Sequence, residues 1–98
     1  MNKYEALFVI DPQKEKSLDE VIKDIGDVIR KQKGNIEKEE TWGKQRLAHP
    51  IKKNAEGIYY KLDFSIDPQE ISVLTSAYKL KGDVLRTIIT KKPVTSNQ

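Results

Sequence analysis

Residues 58–66 constrain the fold more than any other stretch. Ile58, Tyr60, Leu62, Phe64 and Ile66 alternate with Tyr59, Lys61, Asp63 and Ser65. Side chains on a strand alternate between its two faces, so this segment buries one face and presents a mixed polar and aromatic one. Such a strand needs a sheet with one covered face. The chain is 98 residues long, room for one domain and one thin core.

The rest of the chain supplies the cover. Residues 3–10, Lys-Tyr-Glu-Ala-Leu-Phe-Val-Ile, read as a strand that stops at Asp11-Pro12. Tyr4, Ala6, Phe8 and Ile10 share one face, and Lys3, Glu5, Leu7 and Val9 the other. Ser17-Leu18-Asp19-Glu20 has the form of a capping box. Leu18, Val21, Ile22, Ile25, Val28 and Ile29 follow at helical spacing, and Gly34 is placed to stop that helix as a left-handed residue.

Residues 35–49 read as an irregular extended stretch with a bulge or a close backbone approach at Gly43. Pro50 to Gly57 reads as a turn-rich connection. Asp67-Pro68-Gln69-Glu70 again has the grammar of a helix start. Ile71, Leu74, Ala77, Tyr78 and Leu80 give that helix an apolar side, and Gly82 ends it. Residues 84–91 are β-branched and read as a last strand.

The order is β-α-β-β-α-β. Two right-handed crossovers, interleaved, give a ferredoxin-like α+β sandwich: a four-stranded antiparallel sheet with both helices on one face. The domain spans residues 1–92, and 93–98 form a short tail. The uncovered sheet face carries Glu5, Leu7, Tyr59, Lys61 and Asp63, with Arg86 and Ile88. Aromatic and basic residues beside apolar ones mark a partner surface.

Composition narrows the chemistry. Without cysteine there is no disulfide scaffold, thiolate metal site or thiol catalysis, and His49 is the only imidazole. His49 has no nucleophile motif beside it, so it reads as a surface or half-buried side chain. The loop after the first strand, Asp11 to Lys16, lacks the arginine and glycine that an acylphosphatase-like phosphate cradle needs. No metal or organic cofactor is expected, and no enzyme activity. The longest apolar run, Ala6 to Ile10, falls far short of the roughly 18 residues that span a bilayer, so a cytoplasmic chain is expected.

The formal charge is +3, and cations gather at Lys44, Arg46, Lys52, Lys53 and Lys61 and again at Lys79, Lys81, Arg86, Lys91 and Lys92. Phosphate neutralisation is the physical use of such clusters, although acids are mixed through the same segments. The stretch Gly57 to Phe64 lacks the glycine and aromatic order with which RNA-recognition motifs stack bases, which disfavours that mode of reading a single strand.

Tyr4-Glu5, the run Trp42-Gly43-Lys44-Gln45-Arg46-Leu47-Ala48-His49-Pro50-Ile51-Lys52-Lys53 and Gly57-Ile58-Tyr59-Tyr60 resemble ribosomal protein six of the bacterial small subunit, from about residue 2 to residue 92. The resemblance implies binding to the central domain of 16S ribosomal RNA, as a heterodimer with ribosomal protein eighteen, during subunit assembly. It implies a ribosome-associated protein with no membrane and no small-molecule substrate. Carried onto this chain, it points to Lys3, Arg46, Arg86, Lys91 and Lys92 for RNA contact, and to Trp42, Tyr59 and Lys61 for the partner protein or RNA. Trp42 has core packing as its competing role. A charge of only +3 argues that tight RNA binding depends on the partner. The alternative is a regulatory or oligomerising ferredoxin-like module that does not bind RNA.

Overall fold

The computed structural model describes residues 2–51 and 54–92. The elements run as strand Asn2–Ile10 (β1), helix Leu18–Lys31 (α1), strands Asn35–Ile51 (β2) and Asn54–Ile66 (β3), helix Ile71–Lys79 (α2) and strand Val84–Lys91 (β4). Short 3-10 turns, Pro12–Ser17 and Pro68–Glu70, lead into the two helices. The strands form one antiparallel sheet in the order β2-β3-β1-β4. Each helix carries the chain over one intervening strand, so β1 and β3 end up side by side in the centre. This is the ferredoxin-like arrangement expected from the element order.

The core lies between the sheet and both helices. Tyr4, Ala6, Phe8 and Ile10 of β1 meet Ile58, Tyr60, Leu62, Phe64 and Ile66 of β3, as the alternation requires. Val21, Ile25 and Ile29 of α1 and Leu74 and Tyr78 of α2 close over them, so both helices cover the same face. Phe8 stands edge-on to Tyr78 at 4.9 Å between ring centroids and lies 6.1 Å from Tyr60. The Tyr78 hydroxyl donates to the Ile25 carbonyl at 2.6 Å, tying α2 to α1, and the Tyr60 hydroxyl donates to Glu39 Oε2 at 2.8 Å.

Burial holds the Tyr78 hydroxyl above the ordinary tyrosine range. For Tyr60, burial does the same, reinforced by its hydrogen bond to Glu39. The folded chain therefore keeps two protons that the unfolded chain releases near pH 10. Stability is expected to be level below that value and to fall as pH rises past it. Urea midpoints measured from pH 8 to 11 check this, and Tyr78→Phe should flatten part of the decline.

Several local readings are corrected. Ser17 makes no side-chain cap. The chain is already turning at Pro12, where Asp11 accepts from the Gln13 amide at 2.9 Å, and the Leu18 amide is taken by the Glu15 carbonyl. Asp67 caps as expected, accepting from the Gln69 amide at 3.2 Å. The left-handed residue after α1 is Lys33, φ 65°, and not Gly34. Gly34 is needed for room, since a Cβ there would sit 2.7 Å from Ile29 Cγ2. Leu80 falls outside α2 and is 87% exposed. The Tyr4 ring is buried in the core.

The stretch read as a turn from Pro50 to Gly57 is mostly strand, with pairing resumed at Ile51 and Asn54. Lys52, Lys53 and the tail 93–98 lie outside the described residues. Gly43 is a bulge residue with φ 79° and open space where a side chain would be. The close approach falls at Gly57, where a Cβ would run into the Val9 side chain.

Candidate functional site

Strand pairing lays the open face out in rows, because partners in register share a face. Lys38, Asp63, Glu5 and Thr90 form one row. Glu40, Lys61, Leu7 and Ile88 form the next, and Gly43, Tyr59, Val9 and Arg86 the third. The residues expected on the uncovered face are therefore there, Arg86 and Ile88 included.

The first two rows form a charge lattice. Lys61 Nζ lies 3.5 Å from Glu5 and 3.9 Å from Glu40, and Lys38 lies 3.6 Å from Glu40. Lys92 donates to Asp63 Oδ2 at 2.8 Å, and this bond holds its ammonium above the ordinary lysine range. Lys3 reaches Glu37 at 3.9 Å. Pairs with both partners exposed, such as Lys3–Glu37 and Lys38–Glu40, add only about 0–1 kcal/mol each to stability. The larger effect of the lattice is to leave the face locally neutral, with Lys3, Lys61 and Lys92 already matched to carboxylates.

The third row is apolar and aromatic. Trp42, the extra residue of the bulge before Gly43, is 48% exposed and stacks on Tyr59, with centroids 6.2 Å apart and planes 18° apart. It is a surface ring and not a core one. Val9 faces this side yet is buried, because Leu47 at the far end of β2 packs with it over Gly57. Between Leu7, Val9, Tyr59 and Ile88 of the sheet and Leu47 and Ile51 of β2 lies a hollow of about 150 Å³, with His49 and Arg86 among its walls. Leu47 was visible in the extended stretch 35–49, but Ile51 as its neighbour in this hollow was not, because Pro50 and the lysines after it read as a turn.

The five residues expected to touch RNA are spread apart. Lys3, Arg86 and Lys92 lie toward the open face. Lys91 is in register with Tyr4 and so belongs to the helix side at the sheet edge, and Arg46 sits opposite Glu56 near the far end of the β2–β3 hairpin. Among the described residues, Arg46, Arg86 and Lys91 have no carboxylate within 4 Å. Also among the described residues, no group of acidic and histidine side chains is arranged to hold a metal ion, and no helix is long and apolar enough to cross a membrane.

Fold and face together define a small ferredoxin-like protein, with helices on one side of the sheet and a mixed charged and aromatic face on the other. The chain belongs to the ribosomal protein S6 family, whose model matches residues 3–91. It is 40% identical over 88 residues to small ribosomal subunit protein bS6 of Corynebacterium kroppenstedtii, covering 89% of this chain and 93% of that one. With the bS6 protein of Streptomyces griseus it shares 36% identity over 95 residues, 96% of this chain and 99% of that one. The crystal structure of 30S ribosomal protein S6 from Thermotoga maritima superposes with a TM-score of 0.87 at 28% identity, covering 93% of this chain and 87% of that one. The family is one of structural, non-catalytic components of the small ribosomal subunit, which places the chain among ribonucleoproteins of translation.

Proposed function

We propose that this chain binds the central domain of 16S ribosomal RNA as one half of a pair with ribosomal protein eighteen, the open sheet face meeting the protein and the unpaired cations meeting the RNA. The observation that carries this reading is the division of charge. The lysines of the open face are matched by the protein's own carboxylates around an apolar hollow, which suits a protein partner. Arg46 and Lys91, away from that lattice, and Arg86, on the outer strand of the open face, are left without such partners, and an arginine free of carboxylates can bind phosphate with two donors. With a formal charge of only +3, the chain alone has a weak general attraction for RNA.

A gel-shift titration on a central-domain RNA fragment, with and without ribosomal protein eighteen at two salt concentrations, tests the reading. A salt-sensitive shift that needs both proteins is the expected result. Equally tight binding by the chain alone would refute the dependence on the partner. No shift in any combination, with the chain eluting as a homodimer, would hand the case to the oligomerising module.

A further inference from the structure

A second concavity lies on the other side of Arg86. Helix α2 and strand β4, which is an outer strand of the sheet, leave a groove of about 310 Å³ between them. Its floor is apolar, formed by the buried residues Tyr78 and Val84. Thr75 and Lys79, one helical turn apart, form one wall, and Arg86 and Thr87 form the other.

The polar groups there are mainly donors. The Tyr78 hydroxyl is spent on the Ile25 carbonyl, and the Thr75 hydroxyl is spent on the Ile71 carbonyl at 3.0 Å. Lys79 and Arg86 have no carboxylate within 4 Å among the described residues, and Asp83, the acid nearest in sequence, is engaged by Lys14 at 3.5 Å. What remains is the Lys79 ammonium and the Thr87 hydroxyl above an apolar floor, with Arg86 contributing to the rim from a position in register with Val9 on the open face. That combination calls for a ligand with several acceptor oxygens and a less polar body.

The charge continues along the edge. Thr87 and Lys91 are in register with Phe8 and Tyr4, so both lie on the helix side of β4, roughly 13 Å apart at the usual strand rise. No acidic residue interrupts Val84–Lys91. Cations repeated along an edge suit a polyanion better than a single carboxylate.

We propose that the α2–β4 groove seats a phosphate of the RNA backbone, held by Lys79 and Thr87, with the strand continuing along β4 toward Lys91. This rests on the RNA-binding reading above and adds to it a place on the surface. It puts the RNA at the β4 edge, clear of the charge lattice that holds Lys3 and Lys92.

The test is titration of the central-domain fragment with the paired proteins over a series of salt concentrations. Lys79→Gln should weaken binding about 3- to 10-fold and lower the slope of log affinity against log salt by about 0.7–0.9, the share of one phosphate. Thr87→Glu, which puts an anion into the groove, should weaken it more. Lys23→Gln on the exposed side of α1 should change neither quantity. Lys79 is exposed, so unchanged thermal melting is expected to accompany its loss of slope.

If the wild-type pair binds while Lys79→Gln and Thr87→Glu keep its affinity and slope, the groove assignment is overturned and RNA binding stands. If the wild-type pair does not bind, both fall. An amide shift at Thr87 produced by inorganic phosphate but not by the RNA fragment would also overturn the assignment.

Discussion

Replacing Phe8 with alanine is expected to cost the fold about 3–5 kcal/mol, the range for removing a large aromatic from a packed core. Phe8 has no exposed surface and sits in the middle of β1, a central strand. Its neighbours in register are Tyr60 on β3 and Thr87 on β4, and the Tyr78 ring of α2 meets it edge-on. A vacancy there is walled by three different elements, each fixed by contacts elsewhere. The Tyr78 hydroxyl is tied to α1, and Tyr60 is held by Glu39, so neither ring is free to swing in and fill the space. Domains of this size are stable by about 5–15 kcal/mol, so this one change removes a large fraction of the total.

Urea denaturation measures the effect as a lower midpoint with little change in slope. Trp42→Ala is the natural comparison, since it deletes a larger ring from the surface of the same sheet. Its cost should stay within about 1 kcal/mol, the worth of an exposed stacked pair plus some covered area. If the two substitutions cost the same, the core has been placed wrongly.

That contrast shows what the sequence carries and what it does not. The alternation from Ile58 to Ile66 and from Tyr4 to Ile10 sorts inward from outward residues correctly, because each strand is half buried and a shift of one residue would invert every side chain. The two crossovers then follow from element order alone. Local turn chemistry was less legible. Ser17 and Asp11 are both good caps, and the choice fell to Asp11 because Pro12 had already set the backbone of a turn. Pro50, Asn54 and Gly57 read as a loop, yet cross-strand pairing carries β2 and β3 through most of it, and Gly57 is there to admit Val9 and Leu47. Tertiary packing overrode propensity at that point.

The candidate site was legible as a list of charges and not as a field. Nothing in the local sequence says that Lys3 meets Glu37 or that Lys92 meets Asp63. Those pairs are made by sheet order, which brings residues of the terminal strands beside residues of the middle ones. Once they are drawn, cations that look alike in sequence divide into matched and unmatched. Lys79 was visible only as one more cation in a basic segment, since the groove beside it exists only when α2 lies along β4.

Under the proposed pairing with ribosomal protein eighteen, Ile88→Asp should strongly weaken that pairing while leaving the fold intact. Ile88 is 40% exposed and stands opposite Leu7 at the hollow of the open face, so an aspartate there stays solvated in the free chain and costs little. In the complex that carboxylate would be desolvated inside an apolar contact. Truncations or charges at the centre of an interface commonly cost 2 kcal/mol or more, so the affinity of the pair should drop at least about 30-fold. Lys3→Gln, at the edge of the same face, removes a surface ion pair and should move pairing by no more than about 1 kcal/mol. Isothermal titration of the two proteins without RNA reads both numbers. The RNA shift should then be lost in Ile88→Asp only where it depends on the partner, whereas Lys79→Gln should pair normally and bind RNA with a shallower salt slope. Two defects on opposite sides of Arg86 would thus separate protein docking from phosphate binding. Wild-type pairing by Ile88→Asp would mean that ribosomal protein eighteen docks elsewhere and that the open face has another occupant.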